Sequence, residues 1–320
     1  PSRLVRGRPP ASSGMRISVG IIGAGISGLV AARILAKAGA DVVVYEKSRG
    51  LGGRLARRRL GGADFDLGAP AYATTNPDLA RLGSPWGGQG TYVAVPTMNA
   101  LAHALGEGLE VRTSVRVERV RRRDGVWDLG GGRVHDAVLV SVPAPQAAPL
   151  LSEAPDLARA AGSVEMVPVW VVLLSYSRRL EFVGPVSAPL GWCGRESDKP
   201  GRVEEPERWA VHATPDWSLL HVDAPPEFVT RFLQGAFEER LEDPEVSFLA
   251  AGAHRWLYAR ARRPLGRPFL WDPRLLIGAC GDWCLGDSVE SAYRSGSDLA
   301  HRMIESAGGF DPNPMETLGP

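Results

Sequence analysis

The stretch Ile17-Ser-Val-Gly-Ile-Ile-Gly-Ala-Gly-Ile-Ser-Gly28 decides the fold, because it joins a strand pattern to a glycine-rich turn. Its first six residues are mostly apolar and rich in β-branched side chains, which is typical of a strand buried on both faces of a parallel sheet. Apolar residues at helical spacing follow, and Gly39 stands where a glycine is expected at a helix C-terminus. A second strand pattern covers residues 41–46. This order within about 30 residues predicts a βαβ unit.

The glycines of the turn have the spacing of a dinucleotide-binding site. Gly23 permits the tight turn, Gly25 lets a pyrophosphate approach the backbone, and Gly28 lets the helix pack closely on the strand. The N-terminus of the helix offers N–H donors and a positive dipole end to phosphate. Glu46 ends the second strand, where a carboxylate accepts hydrogen bonds from an adenosine ribose. We therefore predict a bound dinucleotide, with a ligand-free packing turn as the alternative.

The next segment favours FAD over NAD. Arg49-Gly50-Leu51-Gly52-Gly53-Arg54 directly follows the acidic strand end. A double glycine flanked by arginines forms a second backbone concavity that suits a phosphate. A simple NAD dehydrogenase has no use for such a concavity at this place.

Composition narrows the class of protein. The 320 residues are enough for two structural units, and the net charge of +1, from 37 basic and 36 acidic residues, excludes nucleic acid and membranes as main partners. The arginine triplets 57–59 and 121–123 are predicted to be solvated. Three cysteines without a metal or redox spacing favour a reducing cytoplasm. We predict a cytoplasmic monomer or homodimer, flexible tails at 1–14 and 309–320, and Met15 as the natural start.

Six segments carry a resemblance to the flavin-dependent amine-oxidase superfamily and, within it, to the renalase-like oxidoreductases. These segments span most of the chain from Met15 to about Ser306, and they are Tyr45–Arg54, Tyr92–Leu101, Asp136–Pro145, Trp209–Trp217, His254–Trp256 and Cys280–Cys284.

The resemblance implies an α/β fold with a discontinuous, Rossmann-like FAD-binding domain. An α+β substrate domain with a mixed or antiparallel sheet is inserted into it. We expect the FAD-binding domain at 15–65, 92–150 and 262–308, and the substrate domain at 66–91 and 151–261. Within the substrate domain we predict a strand over 165–174 and a helix over 225–241.

The resemblance also implies which residues bind FAD. The backbone at Val117, in a strand predicted for 114–120, meets the adenine, and Asp282 binds the ribityl–phosphate region. A helix that begins near Ser288 to Val289 points at the pyrimidine edge of the flavin, where its dipole stabilises negative charge. The full set of predicted FAD contacts is Gly23, Gly25, Ile26, Ser27, Gly28, Glu46, Lys47, Arg49, Gly53, Arg54, Val117, Gly281, Asp282, Ser288, Val289 and Ala292.

Renalase-like proteins oxidise the 2- and 6-dihydro isomers of NAD(P)H to NAD(P)+ and pass the electrons to oxygen, which gives hydrogen peroxide. Because flavin N5 accepts the hydride, no catalytic side chain and no metal ligand is assigned. The predicted substrate cavity has Tyr72, Trp256 and Trp283 as aromatic wall residues and His254 as a polar group. For Trp256, a place in the core is the alternative.

Two departures from the renalase-like pattern leave other functions open. Leu67 stands where these relatives have histidine and Pro70 where they have glutamine, and the segment 76–91, which helps to roof the cavity, is shorter than theirs. One alternative is an amine oxidase or desaturase that acts on a small metabolite. The other is an FAD-binding protein without turnover.

Overall fold

The computed structural model describes residues 16–130, 132–243, 245 and 247–306. The predicted flexible tails, 1–14 and 309–320, lie outside these residues. Met15, the predicted start, also lies outside them, as do the last two residues of the predicted FAD-binding domain, 307 and 308.

The described elements alternate between helices and short strands in the first half of the chain, and longer strands follow. In chain order they are β1 (Ser18–Ile22), α1 (Ile26–Lys37), β2 (Asp41–Tyr45), a 3-10 turn (Gly53–Leu55), β3 (Arg57–Leu60), β4 (Ala63–Asp66), β5 (Tyr72–Ala73), α2 (Pro77–Ala80), β6 (Ser84–Pro85), β7 (Thr91–Val93), α3 (Ala100–Gly106), β8 (Glu110–Arg112), β9 (Arg121–Arg123), β10 (Val126–Asp128), β11 (Val134–His135), β12 (Ala137–Val140), α4 (Ala144–Leu150), α5 (Pro155–Gly162), β13 (Met166–Tyr176), β14 (Leu190–Arg195), β15 (Glu207–Ala213), α6 (Pro215–Leu220), α7 (Pro226–Glu238), β16 (Phe248–Ala261), β17 (Leu270–Asp272), β18 (Ile277–Ala279), α8 (Asp282–Leu285) and α9 (Val289–Ser306).

The main sheet is the parallel sheet that the opening stretch predicts. Its strand order is β17-β18-β12-β1-β2-β8, and only β17 runs antiparallel to its neighbour. β1 lies in the middle, with Val19 opposite Ala137 on one side and Val42 on the other. Because both faces of β1 are covered, Val19 and Ile21 are fully buried. The predicted Rossmann-like domain is therefore confirmed.

Two helices meet on one face of this sheet through a glycine contact. A Cβ atom on Gly296 of α9 would lie 2.1 Å from the carbonyl oxygen of Ser27 in α1. Any side chain at this position would therefore separate the two helices. Leu29 and Leu35 of α1 share a core with Leu299 of α9. The contact holds the start of α9 beside the glycine turn.

A second, antiparallel sheet has the order β14-β15-β13-β16. One face packs on α7 through Val229, Leu233 and Phe237. The other face packs on the β3–β4 hairpin, which contributes Phe65, and on Leu67, which follows it. Because this antiparallel sheet stands beside the Rossmann-like one, the predicted fold class is confirmed. β13 and α7 also confirm the predicted strand at 165–174 and helix at 225–241.

The predicted strand over 114–120 is wrong. Ser114 has a φ of 59°, and residues 115–120 form no strand. The N–H of Val115 instead donates to the carbonyl oxygen of Glu46 at 2.9 Å. A left-handed residue at Ser114 turns the chain away from the sheet, and β9 begins only at Arg121.

The two arginine triplets, 57–59 and 121–123, differ in their exposure to solvent. Arg121, Arg122 and Arg123 are exposed, as predicted. Arg58 is not simply solvated, because it donates to the carbonyl oxygen of Ala253 at 3.0 Å.

The three cysteines form no disulfide. Across the described residues, no helix combines the length and apolar character that a bilayer crossing needs.

His135 gives the fold a dependence on pH. Its ring nitrogens lie 3.0 Å from Ser18 Oγ and 2.9 Å from Tyr45 Oη, and the side chain is 1% exposed. Burial, together with the nearby Arg133 guanidinium, lowers the pKa of His135 to about 4. Since the folded-state pKa lies below the ordinary value, protons bind the unfolded chain more readily and stability falls as the pH drops below about 6.5.

We expect His135 alone to remove about 2 kcal/mol from the free energy of unfolding between pH 7 and pH 5. His135→Gln should therefore flatten this acid slope, even if the variant is less stable at pH 7. Urea unfolding at a series of pH values measures the slope. The exposed His103→Gln is the control and should leave it unchanged. An unaltered slope in His135→Gln would contradict the assignment.

Candidate flavin-binding site

The glycine turn between β1 and α1 leaves room for a ligand at the start of the helix. A Cβ atom on Gly25 would meet no atom within 4 Å, whereas one on Gly28 would lie 2.1 Å from the carbonyl oxygen of Gly23. Gly25 caps α1 without a side-chain hydrogen bond, and the first turn has no acidic residue. The N-terminal N–H groups, at Ile26 and Ser27, therefore face open space with the positive end of the dipole.

Glu46 holds this turn against the end of β2. Its Oε2 accepts the N–H of Ala24 at 2.8 Å and its Oε1 accepts the N–H of Ser48 at 2.7 Å, while the side chain is 6% exposed. A carboxylate has about four acceptor positions, so two remain for ribose hydroxyls. Both the position and the remaining valence of Glu46 suit an adenosine.

A second glycine turn lies directly against the first. Gly52 donates its N–H to the carbonyl oxygen of Ala24 at 2.8 Å, and a Cβ atom on Gly53 would be 3.8 Å from the Cα of Gly25. Gly52 and Gly53 have φ values of 107° and 54°, which favour glycine at both positions. The two turns thus form one backbone cradle, which the sequence predicted only as separate motifs.

Arg54 and Asp282 meet at the edge of this cradle. Arg54 donates to both carboxylate oxygens of Asp282, at 2.8 and 2.6 Å, and also to the carbonyl oxygen of Ala259 in β16 at 2.8 Å. Asp282 lies 228 residues from Arg54 in the chain and begins α8. The structure therefore brings these two predicted cofactor residues together and sets the second sheet beside them.

The start of α9 is fixed on both sides. Ser288 Oγ accepts the N–H of Ser291 at 3.0 Å, which caps the helix. Glu290 Oε1 accepts from the Thr74 hydroxyl at 3.0 Å and from the N–H of Asn76 at 3.2 Å, which ties down the beginning of the shortened segment 76–91. Val289 and Ala292 are half-buried beside the main-sheet core.

The remaining predicted cofactor residues have different surroundings. Lys47 and Arg49 are exposed. Val117 is buried beside Tyr45 of β2. The N–H of Gly281 donates to Ser295 Oγ at 2.9 Å. Their contacts with a cofactor stay predictions.

The donor set and the open backbone fit FAD. Free helix N–H groups suit the pyrophosphate, Glu46 suits the adenosine ribose, and Arg54 with Asp282 lies at the end nearer the second sheet. The second glycine turn is hydrogen-bonded to the first and adds a backbone concavity that NAD binding does not require.

Two of the predicted cavity residues lie on the second sheet next to the cradle. Trp256 and His254 are half-buried residues of β16, and their rings meet edge to face with centroids 4.5 Å apart. The indole N–H of Trp256 donates to the carbonyl oxygen of Leu67 at 3.0 Å. Burial lowers the pKa of His254, and the Arg58 guanidinium adds to this effect. His254 is therefore a neutral imidazole at physiological pH.

The predictions for Trp283 and Tyr72 as cavity walls are wrong. Trp283 is fully buried in the core between the main sheet and α4, and its indole N–H donates to the carbonyl oxygen of Val142 at 3.0 Å. Tyr72 is 3% exposed, and its hydroxyl donates to the carbonyl oxygen of Leu79. Both side chains have satisfied their polar atoms inside the protein, so neither faces an open cavity.

A buried ion cluster next to Leu67 was not predicted. Asp66, which precedes Leu67, accepts from Lys199 at 2.9 Å and from Arg202 at 2.8 Å, and Glu196 also accepts from Lys199. Although burial opposes ionisation, Lys199 and Arg202 lower the pKa of Asp66. Burial raises the pKa of Glu196 to about 7. In sequence, Lys199-Pro200-Gly201 indicated only a turn, and charge in a turn gave no signal of burial.

Two families match the chain. Residues 21–83 match the NAD(P)-binding Rossmann-like domain, and residues 87–224 match the flavin-containing amine oxidoreductases. Together with the cradle and the antiparallel sheet, these matches define a class of flavin-dependent oxidoreductases. The amine-oxidoreductase match covers less than half of the chain and marks a likeness to the flavin amine-oxidase superfamily. The cofactor is a flavin, as predicted.

Curated relatives match only a short part of the chain. A carotenoid 3,4-desaturase from Haloarcula japonica is 50% identical over 54 residues, which are 17% of this chain and 11% of that protein. A zeta-carotene-forming phytoene desaturase from Myxococcus xanthus is 48% identical over 58 residues, 18% of this chain and 11% of its own length. Since the match spans about a tenth of each relative, it does not carry their activity to this chain.

Solved structures match nearly all of the chain in fold. Cyclohexylamine oxidase from Brevibacterium oxydans IH-35A has a TM-score of 0.70 at 12% identity and covers 92% of this chain and 100% of its own. An oxidoreductase from Methanosarcina mazei has a TM-score of 0.64 at 14% identity, with 89% and 100% covered. At these identities the likeness shows the fold alone.

Proposed function

We propose that this protein is an FAD-dependent oxidase that converts the 2- and 6-dihydro isomers of NAD(P)H to NAD(P)+. Each turnover consumes one oxygen molecule and one proton and releases hydrogen peroxide. Bound FAD supplies the chemistry, because it accepts a hydride from a substrate carbon. The work of the protein is to bind the dihydronicotinamide flat, orient it and exclude water.

The observation that supports this proposal is that β16 runs beside the cradle. The carbonyl oxygen of Ala259 accepts from Arg54, and three residues earlier Trp256 donates to Leu67. The half-buried indole of Trp256 therefore lies on the strand that borders the predicted flavin position. An aromatic wall there favours a planar ring stacked between indole and flavin.

Charge near this wall favours an uncharged or anionic substrate over an ammonium ion. The groups that lower the pKa values of the nearby histidines are Arg58 for His254, and Arg260 with Lys199 for His212. Lys199 and Arg260 pair with carboxylates, whereas Arg58 donates to a backbone carbonyl oxygen. An amine cation would therefore meet the charge of Arg58 beside neutral imidazoles. A dihydronicotinamide ring is uncharged, and its dinucleotide tail is anionic, so both parts suit this environment.

Anaerobic mixing of the purified, FAD-loaded protein with 6-dihydroNAD, 2-dihydroNAD and β-NADH tests the proposal. We expect the visible flavin band to bleach rapidly with the two isomers and not with β-NADH. Admission of oxygen should then restore the band and yield one hydrogen peroxide per substrate. A flavin that stays oxidised with both isomers would overturn the proposal.

Trp256→Ala provides a variant for the same assay. Loss of the stacking wall should slow bleaching about tenfold, since an aromatic contact of this kind contributes about 1 kcal/mol or more. Trp271→Ala is the matched control. Trp271 is also a half-buried tryptophan, but it lies in β17, an edge strand of the main sheet, and not in the second sheet. Equal rates in both variants would remove Trp256 from the substrate site.

A second candidate is the desaturation of a small, uncharged, ring-saturated metabolite. Leu67 favours it, because this side chain packs in the apolar cluster with Phe65 and Val169, where a histidine would place a polar group. The same assay separates the two, since this candidate predicts bleaching by a saturated ring compound and none by the dihydronicotinamides.

A further inference from the structure

Two histidines share the face of the second sheet that borders the predicted substrate position. His212 of β15 and His254 of β16 both lie opposite Val171 of β13. Residues directly opposite in antiparallel strands point to the same face, so both side chains stand on one side of the sheet. Their Cα atoms are two strand spacings, about 10 Å, apart, with the buried Val171 between them.

Each imidazole has a tryptophan beside it. Trp192 of β14 is opposite His212, with ring centroids 5.2 Å apart at 71°, and Trp256 meets His254 at 4.5 Å and 74°. The ring of Trp192 lies over Gly194, where a Cβ atom would be 1.9 Å from the indole. The glycine therefore makes the space that lets Trp192 lie flat along the sheet. The result is two tryptophan–histidine pairs on one face.

One buried polar atom of this histidine pair, on His212, lacks a partner within the described part of the chain. Among the described residues, neither ring takes part in a hydrogen bond, and Nε2 of His212 is buried with no partner although the residue is only 9% exposed. His135 shows the contrast within the same protein, because both of its buried ring nitrogens have partners. A buried polar atom without a partner is costly, so it indicates a group that binds there.

The charge state of the pair limits the class of ligand. Burial, together with Arg260 and Lys199, lowers the pKa of His212 to about 3. Arg58 lowers the pKa of His254, and unlike Lys199 and Arg260, which pair with carboxylates, it donates to a backbone carbonyl oxygen. A neutral imidazole offers one donor and one acceptor. Two such groups match a ligand group that is uncharged and that both donates and accepts.

We propose that His212 and His254 form a subsite that binds a neutral, planar carboxamide, with Trp192 and Trp256 as its walls. The carboxamide N–H donates to one imidazole and its carbonyl oxygen accepts from the other. The amide spans about 2 Å between nitrogen and oxygen, and a hydrogen bond of about 2.9 Å on each side brings the total to about 8 Å. That length is comparable with the distance across two strands. The inference deepens and rests on the proposed function, because a dihydronicotinamide carries such a carboxamide.

A binding experiment without turnover tests this subsite. FAD-loaded protein is titrated with nicotinamide and with 3-acetylpyridine, which has the same shape but a methyl group in place of the amide NH2. Calorimetry and the shift of the flavin spectrum report binding. We expect nicotinamide to bind about tenfold or more tightly than 3-acetylpyridine, because the analogue leaves an imidazole acceptor unpaired.

Variants assign the preference to the two histidines. His212→Phe and His254→Phe keep a flat ring and should each abolish the preference, whereas His212→Asn keeps a donor and an acceptor and should restore part of it. His301→Phe, an exposed residue of α9, is the matched control. If His212→Phe fails to fold, the half-buried His254→Phe still decides the matter.

The outcomes distinguish this inference from the proposed function. Undetectable nicotinamide binding, equal affinity for both compounds, or an intact preference in both phenylalanine variants would overturn the subsite. Selective nicotinamide binding together with a flavin that no dihydronicotinamide isomer bleaches would support the subsite and overturn the oxidase proposal. Bleaching of the flavin by a dihydronicotinamide isomer, without a preference for nicotinamide over 3-acetylpyridine, would support the oxidase proposal and overturn the subsite.

Discussion

Lys199→Met is expected to lower the free energy of unfolding by about 3–5 kcal/mol. The Lys199 ammonium bonds Asp66 at 2.9 Å and also Glu196, and all three side chains are 0% exposed. Methionine fills a similar volume but leaves two buried carboxylates, of which Asp66 keeps its ion pair with Arg202. Removal of one partner from such a cluster is costly, because the other charges have no water to replace it.

Urea unfolding at pH 7.5 measures this loss. Lys37→Met, at the exposed end of α1, is the control and should change the free energy by less than about 0.5 kcal/mol. Adding Glu196→Gln to Lys199→Met removes one unpaired carboxylate and should recover about 1–2 kcal/mol. A loss below about 1 kcal/mol in the single variant would mean that the cluster does not depend on its ammonium group.

The ion cluster also explains the limit of the sequence prediction. Asp66 and Lys199 are 133 residues apart, and only the packing of β4 against the loop after β14 joins them. The dinucleotide turn could be predicted, because its strand, glycines, helix and Glu46 lie within about 30 consecutive residues and follow local rules. Burial of a charge in a turn follows no such rule, since its partners come from distant segments.

The difference between local motifs and contacts of distant segments also separates the correct from the incorrect parts of the predicted site. Arg54 and Asp282 meet across 228 residues. Arg54 was predicted from the glycine motif it flanks, whereas Asp282 was named only through the resemblance. Trp283 was predicted as a cavity wall through the resemblance, but its indole N–H donates to the carbonyl oxygen of Val142, which follows β12. His212 stood within a quoted segment without a role, because only the strand register places it across Val171 from His254.

Glu46→Ala is expected to weaken FAD binding by about 1–3 kcal/mol, or roughly 5- to 150-fold in the dissociation constant. The carboxylate is a buried, charged acceptor, and hydrogen bonds to such groups contribute more than neutral ones. The substitution also removes the partner of the Ala24 N–H, which lies in the fully buried turn. The apoprotein should therefore lose stability as well.

Two measurements separate these roles. The dissociation constant of FAD for the refolded apoprotein reports the ribose contacts, and urea unfolding of the apoprotein reports the turn. Glu107→Ala, an exposed acid after α3, is the control for both. If Glu46→Ala lowers only the apoprotein stability and FAD affinity is unchanged, Glu46 serves the turn alone. A loss in both measurements means that one carboxylate folds the cradle and binds its ligand, because two of its acceptor positions are used by backbone N–H groups and two remain for ribose hydroxyls.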